Sequence, residues 1–237
     1  MGRRTRRPPA QEGEDLDTDR LIAAASARRT GSLPDPRLYV SRLPLQNDLS
    51  TIVILDTSQS TAAAMAPGST VLDVQRRAAA ALAEALQASG KAVALRSFAS
   101  AGRDDVRLTR LKDFDEPLSP AVHERLAGLR PGLSTRLGAA LRHVGAEFGT
   151  VATTRKLVLV FTDGEPSDID VVDPAELSED ARHAARALRR RGVDVVGILL
   201  RPAVSRTRFD VGTSIVLRQP EELLASLTRL LHHVARR

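Results

Sequence analysis

Two short apolar runs, each closed by an aspartate, constrain this chain more than any other feature it carries. Ser50-Thr-Ile-Val-Ile-Leu55 leads into Asp56, and Leu157-Val-Leu-Val-Phe161 leads into Thr162-Asp163-Gly164. A strand that is apolar at successive positions has no face to give to water, so it belongs in a sheet covered on both sides, as parallel sheets are. Around these runs the apolar spacing changes to that of helices. Val71, Val74, Ala78, Leu82 and Leu86 mark one helix, which Gly90 closes, and a second covers about Thr135 to Phe148. Leu177, Ala181, Ala184 and Leu188 mark a third, stopped by Gly192. Ala92–Phe98 and Val106–Leu111 read as strands joined through the loop Ser100–Asp105, a hairpin. Val193–Leu200 and Ser214–Leu217 add further strands, and Pro220 opens a final helix that reaches Val234. The expected class is α/β: a Rossmann-like, doubly wound, mostly parallel sheet with one antiparallel edge strand and helices on both faces.

Ahead of this pattern the chain reads differently. Residues 1–15 are rich in Arg, Pro and Glu with no hydrophobic period, and are expected to form a disordered arm. Residues 16–47 read as an extended segment that packs on the domain, with a short helix over Asp17–Ala27 ended by Gly31, Pro34 and Pro36. The domain itself is assigned to 48–237. The net charge of +6 includes Arg3, Arg4, Arg6 and Arg7, and removing those four leaves +2 for the rest. Aromatic residues are only 3%, too few for stacking platforms. Both observations argue against a nucleic-acid interface. The absence of cysteine excludes disulfide scaffolds, thiol nucleophiles and thiolate metal sites. No run approaches the roughly 18 apolar residues of a membrane span, and nothing behind Met1 resembles a secretory signal. A cytoplasmic location is the expectation.

In open parallel sheets the working crevice lies at the carboxyl ends of the strands, where the strand order reverses. Both aspartates fall there. Asp56-Thr-Ser58-Gln-Ser60 carries a carboxylate and two hydroxyls at alternate positions, which an extended loop would project to one side. That set is made of hard oxygen donors, suited to Mg²⁺ or Mn²⁺. Three oxygens fall short of the roughly six that Mg²⁺ takes. Thr135 could add a hydroxyl and Asp163 a second carboxylate, leaving one position for water or an outside ligand. Competing roles exist for the same residues. Asp56 could cap a turn, Thr135 could cap its helix, and Ser134 offers a hydroxyl one residue away. Glu165, Asp168 and Asp170 could steer a partner or form a solvated acidic loop.

Asp-x-Ser-x-Ser after the first strand, a Thr before a helix, and Thr-Asp-Gly after a central strand resemble the metal-ion-dependent adhesion site of von Willebrand factor A (VWA) domains. The resemblance implies a VWA fold and carries the family's five metal ligands onto Asp56, Ser58, Ser60, Thr135 and Asp163. Gly132-Leu-Ser-Thr-Arg-Leu-Gly138 departs from the family's usual Gly-Gly-Thr-x-Thr-Gly, with Leu137 where a second Thr often stands. Longer stretches narrow the likeness. Asp113-Phe-Asp-Glu-Pro117, Leu129-Arg-Pro-Gly-Leu-Ser-Thr-Arg136, Thr162-Asp-Gly-Glu-Pro-Ser-Asp-Ile-Asp170, Gly13-Glu-Asp-Leu-Asp17 and Pro34-Asp-Pro-Arg37 are similar to the carboxy-terminal VWA domain of the NorD/CbbO group. These are the nitric oxide reductase and rubisco activation proteins. Membership would imply a MoxR-type AAA+ ATPase partner, a client protein that lends an Asp or Glu carboxylate to the metal, and an adaptor rather than an enzyme. The group usually carries a long amino-terminal region ahead of this domain, which suggests a stand-alone adaptor or a part of a longer protein.

Two other readings use the same residues. A Mg²⁺-dependent phosphatase or hydrolase would take Asp56 as nucleophile. The second acid such enzymes need is replaced by Ser58, and there is no Gly-x-Ser-x-Gly elbow, Walker A loop, Gly-x-Gly-x-x-Gly fingerprint or His-Glu-x-x-His. A VWA module with a purely structural metal would recognise its partner through another face.

Overall fold

The computed structural model describes residues 49–151, 153, 155–200 and 211–217, together with the backbone of Pro9–Ala10, Asp15–Leu16 and Tyr39–Val40. The chain divides into two units, Met1–Asn47 and Asp48–Arg237. In the first, Tyr39–Val40 pairs antiparallel with Pro9–Ala10 on one side and Asp15–Leu16 on the other. The short helix expected over Asp17–Ala27 and the final helix expected from Pro220 lie outside the described residues.

The second unit is built on a six-stranded sheet. Its strands are β1 (Leu49–Asp56), β2 (Ala92–Ser100), β3 (Val106–Lys112), β4 (Arg155–Thr162), β5 (Val193–Leu200) and β6 (Ser214–Leu217). In space the order is β6-β5-β4-β1-β2-β3. All neighbours are parallel except β2 and β3, which form the antiparallel hairpin at one edge. The helices are α1 (Val71–Ala88), α2 (Pro120–Gly128), α3 (Leu137–Glu147) and α4 (Pro174–Arg190). This is the doubly wound architecture that the alternating pattern predicts.

Every residue of β1 is buried, and its parity explains why. Val53 and Leu55 point into a core shared with α1 and α2, alongside Leu159 and Phe161 of β4. Ile52 and Ile54 point into a second core shared with α3 and α4, alongside Val158 and Val160. Burying each aliphatic side chain contributes about 1.5–3 kcal/mol, so strands apolar on both faces demand helices on both. α1 opens with a capping box: Asp73 N–H donates to the Thr70 hydroxyl, and Thr70 N–H donates back to the Asp73 carboxylate. α3 lies close on α4 because Gly138 leaves room there; a Cβ at that position would sit 2.0 Å from Asp180 Oδ2.

The short helix α2 is absent from the sequence reading. Only Val122 and Leu126 of its nine residues are buried, too thin a stripe to register as a period. The structure also buries Arg96, which pairs with Glu147 at the end of α3 (2.7 Å) and Asp113 after β3 (2.5 Å), ordering the edge hairpin against α3.

Candidate metal centre

The strand order reverses between β1 and β4, and both runs end at that crevice. Asp56 continues the parity of Ile52 and Ile54, so its side chain emerges on the α3 side. Thr162 sits beside it on β4 with the same parity, and its hydroxyl donates to Asp56 Oδ2 at 2.7 Å. The Ser58 backbone N–H donates to Asp56 Oδ1 at 2.9 Å.

The sequence reading places residues 56–60 in an extended loop; the structure instead ends β1 at Asp56 and begins a 3-10 helix at Gln59–Ala62, which takes in Ser60. The cause is Thr61, whose N–H (3.0 Å) and hydroxyl (2.7 Å) both donate to the Ser58 carbonyl. The turn still brings the hydroxyls together, with Ser58 Oγ 3.1 Å from Ser60 Oγ. Ser60 in turn acts on Asp163, its side chain favouring the ionised form of that carboxyl against burial. Thr135 completes the ring: its Oγ1 lies 3.4 Å from both carboxylate oxygens of Asp56. It does not cap α3, whose N-cap is Arg136 with no side-chain cap bond. Ser134, the alternative hydroxyl, is in a segment held by reciprocal backbone bonds to Ser100. The structure thus brings together all five residues named from the sequence.

Asp56, Ser58, Thr135 and Asp163 are buried. Burial, then the nearby Asp163 charge, push the Asp56 carboxyl up to about 6 against hydrogen bonds from Ser58 and Thr162. Burial likewise raises Asp163. Among the described residues neither carboxylate has an ion-pair partner. Two buried acids facing each other without a cation raise each other's cost of ionising, and three hydroxyls complete the lining. A small hard divalent cation suits this donor set on both charge and chemistry. Thr162, absent from the candidate set, is the residue that orients Asp56; the Thr-Asp-Gly triplet carried the signal.

The acidic loop after Gly164 is neither free nor solvated as a whole. Asp168 has a fully buried side chain, paired with Arg136 at 2.9 Å. Its oxygens also accept from Ser100 Oγ at 2.8 Å and the N–H of Gly102 at 2.7 Å. Leu133, two residues before Thr135, holds a left-handed backbone (φ 63°) and is 43% exposed, and Ile169, next to Asp168, is 78% exposed. A non-glycine residue in that conformation persists only where its surroundings enforce it. Here Gln59 N–H donates to the Leu133 carbonyl and Gly132 N–H to the Thr57 carbonyl.

A mostly parallel sheet with an antiparallel edge hairpin, helices on both faces and this oxygen ring at the switch point define a VWA domain. The chain belongs to the von Willebrand factor type A domain family, whose profile matches residues 51–210. Within that family its sequence is similar to NorD of Brucella abortus, at 36% identity over 187 residues, covering 79% of this chain and 29% of that protein. The chain therefore spans less than a third of the NorD protein it matches. Among solved structures, the PilB minor pilin of Streptococcus sanguinis superposes with TM-score 0.65 at 11% identity, covering 85% of this chain and 66% of that one. The vWF domain of the pilus tip protein Mfa5 from Porphyromonas gingivalis gives 0.58 at 11%, covering 78% and 94%. At those identities the likeness is one of fold. Among the described residues no helix is long and apolar enough to cross a membrane.

Proposed function

We propose that this chain is a metal-dependent protein-binding module with a NorD-like accessory role. Mg²⁺ (or Mn²⁺) is held by Asp56, Ser58, Ser60, Thr135 and Asp163, and a carboxylate from a client protein takes the remaining position. The observation that carries this reading is the pair of buried acids, Asp56 and Asp163, facing three hydroxyls with no cationic partner among the described residues. The cation would supply the missing positive charge and a directional bond to the client. A charge-assisted contact of that kind gives specificity beyond contact area. Exposed Leu133 and Ile169, on the loops that carry Thr135 and Asp163, offer apolar surface to a protein partner.

Binding rather than catalysis is favoured because the second acid that a phosphatase using Asp56 would need is replaced by Ser58. Oδ1 accepts from Ser58 and Oδ2 from Thr162, which fixes the orientation of the carboxylate and leaves each oxygen a lone pair for the cation. The likeness to NorD supports recruitment of the client to a MoxR-type AAA+ ATPase for activation or remodelling of a metalloenzyme or similar complex. A cytoplasmic location belongs to the same proposal, since an ATP-driven ring works where ATP is at hand.

The test compares wild type and Asp56→Ala as bait in native lysate, each with Mg²⁺ and with chelator. Recovery of a ring ATPase plus a second protein, the latter lost on mutation or chelation, is the expected result. Equal recovery of that second protein in all four conditions would remove the metal from recognition.

A further inference from the structure

We propose that Asp168 and Arg136 are positioning residues that hold the two metal-bearing loops at the spacing an octahedral cation requires; the inference rests on the metal reading above. Asp168 is a buried hub. Its carboxylate accepts four hydrogen bonds, from Ser100 Oγ (2.8 Å), Gly102 N–H (2.7 Å), Ile169 N–H (2.8 Å) and Arg136 Nε (2.9 Å). Three separate segments meet there: the turn after β2, the loop into α3, and the loop after β4. Arg136 extends the hub by donating its other guanidinium arm to Asp170, which also accepts from Arg103 N–H at 2.8 Å. Burial alone would raise the Asp168 carboxyl; the bonds from Ser100, Gly102, Ile169 and Arg136 outweigh it and hold the group below the usual range.

The hub touches both ends of the candidate centre through the backbone. Thr135 immediately precedes Arg136, and its N–H donates to the carbonyl of Ser167, next to Asp168, at 2.8 Å. Asp163 lies five residues before Asp168 on the same loop. Clamping Arg136 to Asp168 therefore sets the distance between the Thr135 hydroxyl and the Asp163 carboxylate, although neither clamp residue belongs to the ligand set. Asp168 is also a buried charge whose hydrogen bonds support the fold, so the clamp is read from metal selectivity and not from stability alone. Mg²⁺ demands near-ideal octahedral geometry at about 2.0–2.1 Å, whereas Ca²⁺ accepts looser sites at about 2.3–2.6 Å. A loosened clamp should therefore cost Mg²⁺ more than Ca²⁺. General destabilisation has no reason to change that ratio.

The experiment measures Mn²⁺, Mg²⁺ and Ca²⁺ binding by calorimetry and Mn²⁺ paramagnetic resonance on wild type, Asp168→Asn and Arg136→Lys, with melting in chelator alongside. Lysine keeps the charge of Arg136 but cannot reach both aspartates as a planar fork does. Expected are a loss of Mg²⁺ affinity of about tenfold or more in Asp168→Asn and a smaller loss in Arg136→Lys. Both should show a lower Mg²⁺-to-Ca²⁺ preference and a broadened Mn²⁺ signal. Wild type that binds no cation would overturn the metal reading itself. Wild type that binds, with variants of unchanged affinity and unchanged Mg²⁺-to-Ca²⁺ ratio, would overturn the clamp alone. If Asp168→Asn fails to fold, Arg136→Lys decides by the same readouts.

Discussion

Replacing Asp56 with asparagine should make the metal-free domain more stable, even though it destroys the proposed metal site. Burial and the Asp163 charge raise the Asp56 carboxyl from 3.8 to about 6. Between those values the folded protein keeps a proton that the unfolded chain has released, so stability falls as pH rises through the window and stays low above it. At about 1.4 kcal/mol per pH unit, the ionised carboxylate costs the fold about 3 kcal/mol at neutral pH. The groups held low, Asp73 and Asp168 among them, act with the opposite sign. Their contribution is lost only as pH falls below the ordinary carboxylate range, so they do not mask the effect between about pH 4.5 and 7.5. Asparagine removes the charge, keeps an acceptor for Ser58 N–H, and can donate to the Thr162 hydroxyl. For a domain of this size each kcal/mol moves the melting temperature by about 2–4 °C. Calorimetry in chelator at pH 7.5 should therefore show Asp56→Asn melting about 6–12 °C above wild type, with the gap narrowing towards pH 4.5. Added Mg²⁺ should raise wild type, by about 2.7 kcal/mol at a hundredfold excess over Kd, and leave the variant unmoved. A variant that melts below wild type in chelator would refute the reasoning, since the carboxylate would then be a net support of the fold.

Further outcomes follow from particular residues. Gln75 is fully buried in α1 with neither side-chain polar atom hydrogen-bonded, so Gln75→Met should raise the unfolding free energy by about 1 kcal/mol, seen as a higher urea midpoint. Gly138→Ala would push a methyl to 2.0 Å from Asp180 Oδ2 and 3.0 Å from the Asp180 backbone carbon, and should lower stability by about 1–3 kcal/mol in the same assay. Leu133→Gly should be neutral or stabilising: relief of the left-handed backbone is worth about 1–2 kcal/mol, against about 0.5–1 kcal/mol for glycine's extra freedom when unfolded. Its thermal midpoint, measured beside wild type, checks this.

The two-sided burial of β1 and β4 was legible because Ile52 to Leu55 and Leu157 to Val160 offer no polar face, and that alone requires helix layers above and below. The oxygen donors were legible for a related reason: Asp56, Ser58 and Ser60 follow an apolar strand end directly, where a parallel sheet opens its crevice. Ser58 and Ser60 nevertheless meet through a 3-10 turn, because Thr61 closes on the Ser58 carbonyl three residues back, a local bond that the alternation of oxygen donors does not reveal. α2 escaped notice because two buried residues do not make a period. Asp168 was the hardest to read. In sequence it is one acid among Glu165, Asp168 and Asp170 and resembles solvated charge. Only the tertiary structure brings Ser100, Gly102 and Arg136 to it, from positions 32 to 68 residues away. Hydrophobic period is a local property that a chain carries with it, so it specified the layers. The neighbours of a buried charge are decided by which loops the sheet order brings to the same edge, and no local pattern records that.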